Sequence, residues 1–110
     1  MTKTDQYQKE LARWNELFEQ TDDSTRKAAD GMIWKAAFLH SMCWELEQTI
    51  DLVGSIKVHP LHPEIQKQVP AVKEYARLAE SYANIFNKLN IMRQKNLLDD
   101  DDDDELSGFE

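Results

Sequence analysis

Glycine and proline are scarce in this chain, at three residues each among 110, and β-branched residues are few. That leaves little to interrupt helices and little to build a sheet from. There is one cysteine, Cys43, so no internal disulfide can form, which fits a reducing compartment. No stretch approaches the roughly 18 apolar residues that would span a bilayer. Met1-Thr2-Lys3-Thr4-Asp5-Gln6 is not followed by an apolar signal-peptide core. The expected location is the cytoplasm. Glycine-rich phosphate loops, His-Glu-x-x-His zinc motifs and Cys-x-x-Cys pairs are all missing.

What is present is mostly helix-forming: Ala, Leu, Glu, Gln and Lys dominate. The net charge of −8 is unevenly placed. Met1 to Leu98 holds 13 acidic and 13 basic residues, whereas Asp99 to Asp104, Glu105 and Glu110 carry eight acidic charges and no basic one. The chain therefore reads as one neutral folded domain over 1–98 and an acidic segment over 99–110. Six consecutive aspartates repel one another, and that segment is expected to be disordered.

The predicted fold class is all-α: a long antiparallel helical hairpin plus an N-terminal helix. The first helix spans roughly Asp5 to Gln20, with Tyr7, Leu11, Trp14 and Phe18 on one face. Thr21-Asp22-Asp23-Ser24 is a polar break rich in N-cap candidates. The second helix runs from about Thr25 to Val53. Ala29, Met32, Ala36, Leu39, Cys43, Leu46, Ile50 and Val53 form a heptad seam along it, and Gly54 is its natural stop. Ser55 to Val69 is a connector, extended over Ile56-Lys57-Val58-His59, with room for one helical turn around Glu64 to Gln68. A third helix starts at Pro70 and reaches about Gln94. Its matching seam is Ala71, Tyr75, Leu78, Tyr82, Ile85, Leu89 and Met92.

The second helix also carries Ile33, Trp34, Phe38 and Trp44 off its seam, more apolar surface than a helix of about four turns can cover. These four are the candidate contacts of a homo-oligomer, expected as a closed ring. Chemistry is harder to find. His40-x-x-Cys43 and His59-x-x-His62 each offer two metal-ligating side chains where a site needs three or four. Packing suits the first pair and a turn the second. Ser24, Ser41, Ser55 and Ser81 lack a recognisable base. The aspartate run lacks the glycine and spaced ligands of a calcium loop. No catalytic residue, metal or cofactor is expected. The basic residues are dispersed; Arg26, Lys27 and Lys57 are the candidate contacts to DNA phosphates once copies assemble.

Ile56-Lys57-Val58-His59-Pro60, then Pro70-Ala71-Val72-Lys73-Glu74-Tyr75, then Asn84-Ile85-Phe86-Asn87-Lys88-Leu89-Asn90-Ile91, after a long helix ending in glycine, resemble the short type of phage terminase small subunit. The resemblance covers roughly Trp14 to Leu98. It implies a non-enzymatic, ring-forming subunit of the viral DNA-packaging motor, which recognises viral double-stranded DNA and regulates the large terminase subunit in the host cytoplasm. The chain lacks a clear N-terminal helix-turn-helix and has Leu89-Asn90-Ile91 where a Leu-Gly ending is commoner. No DNA-contacting residue carries over from the family. Leu106 and Phe109, apolar residues beyond the aspartates, are candidates for docking the large subunit. A second reading is an acidic interaction module such as a DNA-mimic inhibitor. The neutral body argues against it, since a mimic displays carboxylates on its folded surface.

Overall fold

Thr2 opens the first helix. Its hydroxyl accepts from the Asp5 backbone N–H, and the Asp5 carboxylate accepts from the Thr2 N–H, a reciprocal capping box. In the computed structural model, which describes residues 1–54 and 56–108 with side chains up to residue 98, α1 spans Lys3–Leu17. Phe18 caps its end, and the buried Thr21 hydroxyl donates to the Phe18 carbonyl at 2.6 Å, closing the turn. Asp22 then caps α2, Asp23–Val53, by accepting from the Thr25 N–H at 2.6 Å. Gly54 ends α2 at φ 84°, a conformation that penalises any side chain.

The connector is a small hairpin. β1, Ile56–Val58, pairs antiparallel with β2, Gln66–Gln68, in the register Ile56↔Gln68, Lys57↔Lys67 and Val58↔Gln66. The extended reading of Ile56 to Val58 holds, but the helical turn over Glu64 to Gln68 is replaced by a strand. An extended β1 leaves a row of backbone donors and acceptors open, and the returning chain fills them. The reversal is closed by His59 N–H on the Ile65 carbonyl (3.0 Å) and Ile65 N–H on the His62 carbonyl (2.9 Å). The His59 Nδ1 accepts from the N–H groups of Leu61 and His62, so this pair of histidines shapes a turn.

α3 begins at Pro70 and runs to Gly108. The expected stop near Gln94 is corrected: the helical backbone continues past it. Nothing between Gln94 and Leu98 breaks a helix, and each residue added to an existing helix gains a hydrogen bond without a new nucleation cost. Asn96 lies past the expected end and is used. Its amide donates to Asp22 Oδ2 (2.7 Å) and Thr25 Oγ1 (3.0 Å), tying α3 to the α1–α2 turn.

The three helices form an up-down-up bundle. Lys3 pairs with Glu45 and Glu10 with His40, so α1 is antiparallel to α2. Tyr75 reaches Glu47 while Asn96 reaches Asp22, so α3 is antiparallel to α2 as well. The core is Trp14, Phe18, Ala29, Ile33, Ala36 and Leu89, flanked by Leu11, Met32, Tyr82, Ile85, Phe86 and Met92. Each fully buried large apolar side chain there stabilises the fold by roughly 1.5–3 kcal/mol. The heptad seams of α2 and α3 supply most of that set, with α1 laid across them by Trp14 and Phe18. Trp14 meets the Phe86 ring edge-on, centroids 5.2 Å apart.

Candidate functional site

α2 is covered on one side by α1 and α3 and bare on the other. On the bare side Trp34 and Phe38 stand one turn apart, with their rings stacked at a 6.3 Å centroid distance and 14° between planes. They remain 55% and 46% exposed. The stack is a flat apolar plate that no described residue covers. Trp44 is half-buried. Ile33 is not a surface residue: it is 2% exposed and lies in the core. One residue along a helix is a rotation of about 100°, which is enough to put Ile33 inside and Trp34 outside.

The candidate phosphate contacts do not converge. Arg26 and Lys27 lie in the first turn of α2, where Arg26 is ion-paired with Asp23 and both basic groups border a shallow recess shared with Asp23 and Asp30. Lys57 lies past the other end of α2, about 40 Å away along the helix at 1.5 Å per residue. There it faces Lys67 across the hairpin, and two like charges directly opposed weaken a strand pair. Around them Leu52, Ile56, Val58, Leu61 and Ile65 are all exposed, so this end of the molecule is apolar.

A buried polar cluster went unread in the sequence. Glu10 is 3% exposed between the three helices. It accepts from the Tyr82 hydroxyl, lies 3.2 Å from the His40 Nδ1 and is ion-paired with Arg13 at 3.2 Å. Gln6 Oε1 stands 3.2 Å from the other His40 nitrogen. Desolvation, reinforced by the hydrogen bond to Glu10 and that carboxylate's charge, pushes the Tyr82 phenol far above its ordinary range, so it stays protonated and donating. The available signal was Glu10's position: three residues after Tyr7 and four before Trp14, it lies on the apolar face of α1. The Trp14 Nε1 is buried nearby with no acceptor among the described residues.

Cys43 is buried and free, and burial together with the Glu47 charge raises its thiol. Its neighbour in the sequence motif, His40, is engaged by Glu10 instead. Among the described residues no group of three or more His, Cys, Asp or Glu side chains could hold a metal ion. No helix among them is long and apolar enough to cross a membrane. The backbone of α3 passes through Leu106, but its side chain, and all of Phe109, lie outside the described residues. No family model, curated protein or solved structure matches the chain.

Proposed function

We propose that this chain is a self-assembling, non-catalytic subunit of a viral DNA-packaging motor, of the terminase small-subunit type. The observation that carries self-assembly is the uncovered Trp34–Phe38 plate on α2. Large aromatic pairs left open on a small helical bundle are what interfaces between chains are built from. The packaging role comes from the sequence resemblance over the connector and α3, and the long three-helix frame accommodates it. Its partners are further copies of itself, viral double-stranded DNA and the large terminase subunit, in the host cytoplasm.

DNA contact requires more than one copy, because Arg26 and Lys27 stand a helix length from Lys57 within a single chain. The acidic segment opposes it by competing intramolecularly for the same basic groups. Leu106 and Phe109 follow its aspartates and serve as a docking motif for the large subunit.

The test has three readings. Light scattering should report several copies per particle. Deleting residues 99–110 should tighten DNA binding at low salt. The ATPase of a large terminase subunit should change when the protein is added, and less when Leu106 and Phe109 are both changed to Ala. A monomer that neither binds DNA nor alters that ATPase would end the proposal.

A further inference from the structure

The bare face of α2 has a pattern beyond its aromatic plate. Lys27, Trp34, Phe38 and Glu45 lie along one line of the helix, at spacings of seven, four and seven. The pattern is a palindrome in shape about residue 36 and inverts in charge across it. A basic group stands on one side of the aromatic plate and an acidic group at the same distance on the other, the two about 27 Å apart at 1.5 Å per residue. Both ends are exposed. The Glu45 side chain is 53% exposed, with Lys3 at 3.7 Å.

Such a pattern is its own complement only when reversed. Two copies of α2 laid parallel and in register would set Lys27 against Lys27 and Glu45 against Glu45. Laid antiparallel about a two-fold axis at residue 36, they set each Trp34 against the other copy's Phe38 and each Lys27 against the other copy's Glu45. Gly31 adds a second observation. It lies inside α2, where glycine costs about 1 kcal/mol relative to alanine. A Cβ there would meet nothing of its own chain within 4 Å, so the fold itself does not require the glycine. It lies one turn before Trp34 on the same face and lowers the rim of the plate where another ring must slide in.

We infer that two copies of this chain pair through the outer face of α2, antiparallel about a two-fold axis at residue 36. The inference rests on the self-assembly reading and specifies its contact. An isologous contact closes at two copies, so any larger ring is built from pairs and contains an even number of chains. The pairing also carries the hairpin of one copy to the Arg26 end of the other. Lys57 of one chain and Arg26 of its partner then share one end of the pair.

The test is charge reversal in the full-length protein, read by sedimentation equilibrium with circular dichroism as the folding control. Lys27→Glu alone should weaken pairing roughly tenfold, since each pair contains the contact twice and turns both into repulsions. Lys27→Glu combined with Glu45→Lys should restore most of the lost pairing, the remaining deficit coming from the broken Lys3–Glu45 ion pair. Trp34→Ser with Phe38→Ser should weaken it roughly 100-fold or more while the helical signal stays unchanged. An assembly with an odd number of chains, an oligomer indifferent to these changes, or a double reversal that fails to rescue would overturn the antiparallel pair and leave self-assembly standing. A wild-type monomer at high micromolar concentration would overturn both.

Discussion

Both sides of α2 carry apolar residues, and they end differently. On the inner side Ile33, Ala36 and Ala37 are buried against α1 and α3, and Trp14 of α1 is fully enclosed. On the outer side Trp34 and Phe38 are as large and as apolar, yet half of each faces solvent. The inner side is what lets one chain fold; the outer side is left open by the described residues. The two sides should therefore respond oppositely to mutation, the inner in stability and the outer in association.

Trp14→Ala should have the largest effect on folding. It empties the centre of the core and should cost roughly 3–5 kcal/mol in denaturant unfolding. Glu10→Ala comes next, at roughly 3 kcal/mol, because the Tyr82 hydroxyl, His40 and Arg13 lose their shared acceptor inside the bundle. Tyr82→Phe removes only one donor from that carboxylate and should cost about 1–2 kcal/mol. Trp34→Ala should change the stability of the single chain by no more than about 0.5 kcal/mol, as for other exposed sites. If Trp34→Ala destabilised the chain as much as Trp14→Ala, the contrast between the two faces would fail.

The turn joining α1 to α2 offers a pH test of the same frame. The Asp22 carboxyl is held below its ordinary range, chiefly by the Thr25 backbone N–H and then by the Asn96 amide. A lowered folded-state value means that the stabilisation is present above the unfolded value near 3.8 and fades as pH falls through the folded one. Asp22→Ala should thus lower the melting temperature at pH 7, and the gap from wild type should narrow below about pH 4. A gap that stayed constant down to pH 2 would mean that the cap and clamp do not depend on the charge.

The helices and their inward faces were legible in the sequence because a period of three and four is written into residues such as Ala29, Ala36, Leu78 and Leu89. Gly54 and Pro70 bounded the connector for backbone reasons that act locally. Less legible was whatever depends on distant partners. Gln66 to Gln68 have no strand signal of their own and are extended because β1 needs a pairing edge. Ile33 and Trp34 look equivalent as adjacent large apolar residues, and only the placement of α1 and α3 separates them. Glu10 stands on the apolar face of α1 in the sequence, but its partners Tyr82 and His40 arrive only from the other two helices. The length of α3 was underestimated because its apolar seam ends at Met92, whereas its backbone continues and Asn96 finds Asp22.

The most direct measurement is the mass of the full-length particle in solution, by sedimentation equilibrium at concentrations up to the high micromolar range, for the wild type and for Trp34→Ser with Phe38→Ser. An even number of chains in the wild type, reduced in the double variant at unchanged helical content, is the expected result. A wild-type protein that stays a single chain throughout, with Trp34 and Phe38 open to solvent, would contradict it.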